Sequence, residues 1–233
     1  MRLAIFLFIC TLFTSITPLK AQDNLCENGY MPFKEGISYE LTTYDKKDKV
    51  SSVNKSKIEA LESIDGGFKA TVAIEVISDK GKELHKGSYA MECRDGVIYM
   101  DLNSLMDPRS MGGLSNMEME MSGDALELPA DMDPGQSLPD GHIEMKAKSG
   151  GMSLMTFTMN VTDRKVEAAE SVTTPAGTFE CVRVSQNMEM KAIIKRRFKT
   201  VTWYAKGVGA VLTENYDDKG KKESYTQLTK FGE

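Results

Sequence analysis

Apolar and polar residues alternate one by one along most of this chain. The alternation is clearest in residues 37–42, 68–76, 143–148 and 155–162, where every second side chain is apolar. A period of two residues is typical of β-strands that have one dry and one wet face, and such strands form antiparallel sheets. The pattern therefore predicts an all-β protein.

Short turns rich in Asp, Lys and Gly separate many of these strands. Gly81 and Gly220 occupy the position at which a hairpin loop of this kind needs left-handed backbone, and Asp48 stands there in a third turn. Their spacing predicts about eleven strands, and we expect a single large curved antiparallel sheet, a half-barrel or a flattened barrel. The turns are residues 44–49, 78–82, 94–97, 174–178 and 216–221.

Two stretches interrupt the alternation. Residues 103–116 contain Pro108 and two consecutive glycines, and residues 129–141 contain three prolines and two glycines. Both are expected to be irregular, and we expect 103–116 to cover one side of the sheet. Because no flexible linker divides the chain, residues 22–233 are predicted to form one β-rich domain.

The first 21 residues have the pattern of a secretory signal peptide. Arg2 precedes an apolar run over residues 3–16, and residues 18–21 lead from this run into a polar sequence. No later segment approaches the length of a membrane span. We therefore expect a soluble exported protein, either periplasmic or secreted.

Export would place the cysteines in an oxidising compartment. Without residues 1–21 the chain keeps Cys26, Cys93 and Cys181, which allow one disulfide and one leftover thiol. Loop entropy does not choose the pair, because every candidate pair closes a long loop. We prefer Cys26 with Cys93, which lies at a strand end beside a turn; three unpaired thiols remain the alternative.

Composition argues against several functions. The formal net charge is −5, whereas a nucleic-acid binder needs a surplus of Lys and Arg. His85 and His142 are the two histidines, and neither accompanies a nucleophile motif. No Cys-x-x-Cys or EF-hand pattern occurs, and no spacing marks out a carboxylate pair. We expect a protein that is not an enzyme and holds no cofactor or metal.

Several segments resemble a known family. The sequence around Pro175, Gly177 and Cys181, together with Trp203–Val211, is similar to the TapB-like family of exported bacterial proteins, which is related to domains of unknown function. The resemblance implies export and a single β-rich domain, and it implies no reaction. Cys26 and residues 30–36, 93–101 and 135–141 match the family as well.

The chain has sixteen methionines, many of them at alternating positions. Unbranched and polarizable methionine side chains adapt to irregular guests, so a dry sheet face rich in them suggests an apolar or lipid-like ligand. A filled core in an envelope structural or interaction module is the alternative, and methionine-bound Cu(I) is a third hypothesis. The predicted ligand-lining residues are Met117, Met119, Met121, Met155, Phe157, Met159, Phe68, Val72 and Ile74.

One dense basic cluster occurs at Lys195, Arg196, Arg197 and Lys199. It could contact an anionic surface such as lipid headgroups. A solvated strand face that protects a sheet edge is the simpler interpretation. Candidate partners are therefore an apolar small molecule or an envelope protein.

Overall fold

The computed structural model describes residues 25–100, 118–123 and 126–233. Within this part the chain forms thirteen strands and one antiparallel sheet. The predicted signal peptide 1–21, the predicted covering segment 103–116 and Met117 lie outside the described residues. The strands are β1 (Ser38–Asp45), β2 (Val50–Ile64), β3 (Gly67–Ser78), β4 (Glu83–Arg94), β5 (Val97–Met100), β6 (Glu118–Gly123), β7 (Glu127–Pro129), β8 (Gly141–Ser149), β9 (Met152–Thr174), β10 (Gly177–Lys191), β11 (Lys195–Ala205), β12 (Gly209–Asp217) and β13 (Lys222–Gly232).

The sheet confirms the predicted all-β class. Its strand order is β6-β8-β9-β10-β11-β12-β13-β1-β2-β3-β4-β5-β7, and no described residues of β6 and β7 pair to close it into a barrel. Thirteen described strands exceed the predicted eleven, and β5, β6 and β7 are short, with four, six and three residues. A strand as short as β7 carries too little alternation to be recognised in a sequence.

The two edge strands of the sheet are consecutive along the chain. Strands β6 and β7 are the two edges, yet only residues 124–126 separate them along the chain. Four peptide steps from Gly123 to Glu127 reach about 14 Å at most. One end of β6 must therefore lie near one end of β7, which requires the sheet to curve strongly.

Consecutive antiparallel strands place the turns at two ends of the sheet. The lysine end comprises the turns 46–49, 79–82, 150–151, 192–194 and 218–221. The disulfide end comprises the turns 65–66, 95–96, 175–176 and 206–208.

One disulfide joins Cys26 to Cys93, the pair that we preferred. Both cysteines are fully buried, in a core cluster with Ile58, Val72 and Met91. The bond spans 67 residues, and closing a loop of this length typically stabilises a protein by about 2–4 kcal/mol.

Two irregular segments pack at the disulfide end. The backbone N–H of Gly207 donates to the carbonyl of Gly29 at 2.7 Å, and that of Ala130 donates to Gly96 at 2.7 Å. These bonds attach residues 25–37 and 130–140 to the turns of this end. No helix among the described residues has the length and apolar character needed to cross a membrane.

Candidate functional site

Methionines from three neighbouring strands lie on one face of the sheet. Met159 on β9 is directly opposite Ile143 on β8 and Met190 on β10. Directly opposite residues of antiparallel strands point to the same face. The same register places further residues of these strands on this face. We call the whole set the Met-rich face, and it comprises Ile143, Met145, Ala147, Met155, Phe157, Met159, Val161, Met188 and Met190.

Exposure along the Met-rich face is graded. Met155, nearest the lysine end, is 40 % exposed, whereas Val161 further along β9 is 0 % exposed. Phe157 and Met159 between them are half-buried, and Met145 on β8 is buried. An apolar strip therefore runs from a solvent-accessible entrance into a buried position.

Strand β6 continues this face at the edge of the sheet. The backbone of Met119 lies opposite Ala147, and that of Met121 lies opposite Met145. These two predicted lining residues thus occupy register positions on the Met-rich face.

Phe68, Val72 and Ile74 occupy a different part of the same face. The register, followed strand by strand, puts them on the side of the sheet that carries the Met-rich face, but six strands separate β3 from β9. Val72 is fully buried in the core cluster around the disulfide, and Phe68 and Ile74 pack against that cluster. The ring of Phe68 also stacks on the ring of Phe33, with 6.5 Å between the ring centroids. Of these three among the nine predicted lining residues, Val72 belongs to the core around the disulfide, whereas Ile74 also lines a second open cleft of about 560 Å³.

The strands between these two regions present hydroxyl groups on that face. Thr202 and Thr213 share a hydrogen bond between their Oγ1 atoms at 3.2 Å, and Thr43 and Thr226 share one at 2.9 Å. The apolar face is consequently interrupted, which differs from the continuous dry face that the alternation suggested. Threonine has high strand propensity on either face, so the sequence pattern does not show this.

A buried arginine, Arg164, lies on β9 just beyond Val161, the last β9 residue of the Met-rich face. Arg164 is 4 % exposed; its Nη1 donates to the carbonyl of Pro139 at 2.7 Å and its Nε donates to Oε1 of Gln186 at 3.2 Å. Burial lowers the pKa of its guanidinium. Thr200 lies opposite Gln186, and its buried Oγ1 has no hydrogen-bond partner among the described residues. The apolar strip therefore ends at a cationic and polar position.

An open cleft of about 920 Å³ lies on strands β9 to β12. Most of its lining residues alternate with those of the Met-rich face, so the cleft uses the other face of these strands. Its lining includes Glu167, Arg183, Glu189, Arg197, Lys199, Trp203, Glu214 and Tyr216.

The charged groups of this cleft are mostly paired with one another. Arg183 donates to Glu167 and to Glu170 at 3.1 Å each, and the Trp203 indole donates to Glu170 at 2.7 Å. A hydrogen bond from Ser185 is the main cause that lowers the pKa of Glu167. Burial, and then the hydrogen bond to Glu214, raise the pKa of Tyr216 to about 12. These internal pairs leave few free polar groups for a ligand.

The predicted basic cluster is partly neutralised. Lys195 and Arg197 both form ion pairs with Glu189, at 2.7 and 2.8 Å. Arg196 lies opposite Met190, and Lys199 lines the cleft.

The described residues contain no group of three His, Cys, Asp or Glu side chains arranged to hold a metal ion. His142 is exposed and hydrogen-bonded to Asn160 at 2.6 Å, and Cys181 is a buried free thiol. Burial raises the pKa of this thiol to about 11, which keeps it protonated and unreactive near neutral pH.

Sequence reasoning found Arg197 and Lys199 but missed the other cleft residues and the pair Arg164 and Gln186. Arg183, Trp203 and Tyr216 come from three strands, and no spacing along the chain announces that they meet. The single tryptophan was the one signal that could have directed attention to the cleft.

Comparisons with known proteins concern family and fold. Residues 34–228 match the model of the family described as DUF3108-like. No curated protein matches the chain.

Two crystal structures resemble the whole described fold. One is a protein of Bacteroides fragilis assigned as exported, with a YmcC-like fold; it is 22 % identical, the match covers 88 % of this chain and 100 % of that one, and the TM-score is 0.71. The other is a protein of Parabacteroides distasonis assigned as a lipoprotein; it is 23 % identical, with coverage of 88 % and 99 % and a TM-score of 0.71. At sequence identities this low, the two structural similarities show a shared fold.

Proposed function

We propose that this chain, which belongs to the DUF3108-like family, is an exported, non-enzymatic protein that binds a lipid-like molecule along its Met-rich face. Export is supported by the signal-peptide pattern of residues 1–21 and by the descriptions of the two structural relatives. The finer resemblance to TapB-like proteins stays a prediction.

The graded exposure of the Met-rich face is the observation that supports ligand binding. Exposure falls from 40 % at Met155 to 0 % at Val161 along one strand, so an apolar path joins the solvent to a buried position. An acyl chain that entered at Met155 would contact Phe157 and Met159 next. Flexible thioether side chains can adapt to such a guest.

Arg164 suggests the polarity of the ligand. It follows the apolar strip on β9, and only two of its five N–H donors have a hydrogen bond to protein in the described part of the chain. An unsatisfied buried oxygen, Thr200 Oγ1, lies nearby along the register. This combination fits an amphiphile with an anionic head, such as a fatty acid.

Native mass spectrometry tests the proposal. The protein is recovered without detergent from the extracytoplasmic fraction of cells that express the full sequence, and is then offered palmitic acid and phosphatidylglycerol. We expect a bound mass on the isolated protein or uptake of one of these lipids. A protein that carries nothing and takes up neither lipid would contradict ligand binding and favour the structural or interaction module with a filled core.

Matched variants locate the ligand. Met159→Asp puts a charge on the Met-rich face and should abolish uptake, whereas Thr158→Asp changes the neighbouring residue on the opposite face and should preserve it. Met155→Asp serves as a second variant, because its partly exposed position tolerates a charge without loss of folding. Equal uptake by all folded variants would overturn the proposed site.

The copper hypothesis is distinguished in the same way. Met159 lies directly opposite Met190, so two thioethers are neighbours across β9 and β10. A Cu(I) titration compares the wild type with a Met117, Met119, Met121→Leu variant and with a Met159, Met190→Leu variant. Equally weak binding by all three proteins would exclude methionine-based copper binding.

A further inference from the structure

The lysine end of the sheet exposes two apolar hairpins that the proposed ligand site does not use. Ile193 and Ile194, in the turn between β10 and β11, are 89 % and 69 % exposed. Met152 and Leu154, at the start of β9, are 69 % and 57 % exposed. The two hairpins are neighbours because β9 pairs with β10.

Basic side chains surround the exposed isoleucines. Residues 187–199 contain Glu189 as their one acidic group, against five basic groups. Glu189 pairs with Lys195 and Arg197, and Arg196 is exposed. The basic groups are Lys191, Lys195, Arg196, Arg197 and Lys199.

The two ends of the sheet have opposite charge. The five turns of the lysine end carry seven lysines against five aspartates, counting Asp45 and Asp217, which cap two of these turns. At the disulfide end, the four turns and the segment 130–140 carry five aspartates and one lysine. Since the whole chain has a net charge of −5, an anionic surface would repel most orientations of the molecule and attract this end.

We propose that the lysine end docks onto an anionic lipid bilayer, with Ile193 and Ile194 entering the interfacial region. Exposed apolar tips within a basic surround combine the two forces that hold proteins on such membranes, burial of apolar area and attraction to anionic headgroups. Met152 and Leu154 on the adjacent hairpin extend the same contact. The Met-rich face opens toward this end at Met155, so docking would bring its entrance to the lipid surface.

Vesicle co-sedimentation tests the docking. The full-sequence protein, recovered from the extracytoplasmic fraction, is mixed with vesicles of phosphatidylcholine alone or with one third phosphatidylglycerol. We expect binding to the anionic vesicles that weakens as salt is raised, because screening removes the attraction of the basic groups. Equal binding to both vesicle types, or no binding to either, would overturn the proposal.

Variants separate insertion from general stickiness. Ile193→Ser with Ile194→Ser should weaken vesicle binding by about tenfold or more, since each isoleucine would lose its burial in lipid. Leu25→Ser is the matched control, because Leu25 is 54 % exposed at the disulfide end and contacts the turn residue Gly96. Circular dichroism checks that each variant is folded. Unchanged binding by the folded double variant would contradict docking through this turn.

A second copy of the chain is the competing occupant. A concentration-dependent dimer that the Ile193→Ser, Ile194→Ser variant loses would assign the apolar tips to self-association and overturn membrane docking. The outcome is separable from ligand binding: Met159→Asp should still bind vesicles, and the isoleucine variant should still take up palmitic acid from solution.

Discussion

Single carboxylates on this sheet derive their acidity from specific neighbours, and Glu167 is the clearest case. Its Oε1 accepts a hydrogen bond from Ser185 at 2.7 Å, and Lys199 and Arg183 add favourable charge. These partners lower the pKa of Glu167. A lowered folded-state pKa stabilises the protein above the unfolded-state pKa, about 4.3 for Glu, and this stabilisation is lost as pH falls through the folded-state pKa.

Ser185→Ala should therefore raise the pKa of Glu167, because the variant loses the hydrogen bond that contributes most. NMR titration of the side-chain carboxyl carbon measures this directly. Urea unfolding should show a larger difference between variant and wild type at pH 7 than at pH 3. Ser51→Ala is the control, since Ser51 donates to a backbone carbonyl, and its effect should not depend on pH. An unchanged Glu167 pKa in Ser185→Ala would contradict this account.

Individual residues also show what a sequence can and cannot reveal. Asp48 stands where related turns have glycine, and it does adopt a left-handed φ of 58°. Such local features follow from the turn itself. The contact of Arg164 with Pro139 and Gln186 joins residues that alternation assigns to separate segments, so no local pattern predicts it.

At the scale of elements, one turn is used three times at the lysine end. Asp45 accepts from the N–H groups of Lys47 and Lys49, and Asp217 accepts from those of Lys219 and Lys221. In the third turn the Ser78 hydroxyl takes the same role toward Lys80 and Lys82. The shared side-chain oxygen at the first position explains why the turns were recognisable in the sequence.

Gly81→Ala tests the left-handed position of these turns. Gly81 has φ of 75°, and no atom lies within 4 Å of an added Cβ, so backbone strain alone should lower the free energy of unfolding, by about 1 kcal/mol. Gly232→Ala is the matched control, because that site is equally open and lacks a left-handed φ. Chemical denaturation of both variants provides the measurement. Equal stability of the two variants would show that the turn does not depend on glycine.

Strands were easier to predict than their order. Alternation over 68–76 and 155–162 correctly predicts β3 and β9, because it reports which side chains face water. It carries no information on which strand is the neighbour. The pairing of β1 with β13 joins residues nearly two hundred positions apart, and the short edge strand β7 has three residues.

At the scale of the whole molecule, β13 holds the two halves of the sheet together. It pairs with β12 on one side and with β1 on the other. Leu228 on β13 is 1 % exposed and belongs to a core cluster with Cys181 and Val211. The C-terminal strand is thus a structural centre of the fold.

Removal of residues 226–233 should therefore prevent cooperative folding. It deletes the buried Leu228 and the part of β13 that pairs with residues 38–43 of β1. Far-ultraviolet circular dichroism and thermal unfolding provide the measurement. Removal of Glu233 alone is the control. It breaks one exposed ion pair with Lys34, and solvent screening makes such a pair nearly neutral for stability, so the free energy of unfolding should hardly change. A cooperative transition in the shorter protein would show that the two halves fold without this strand.

Because β13 lies in the middle of the sheet, the order of synthesis also constrains when the protein can finish folding. Among the described strands the ribosome makes β1 first and β13 last, so β1 emerges long before its partner. Non-local pairing of this kind forms slowly, because the chain must first close a very long loop. The sheet of a nascent polypeptide with this topology stays incomplete until β13 has been made, and the export that we propose needs a chain that has not finished folding.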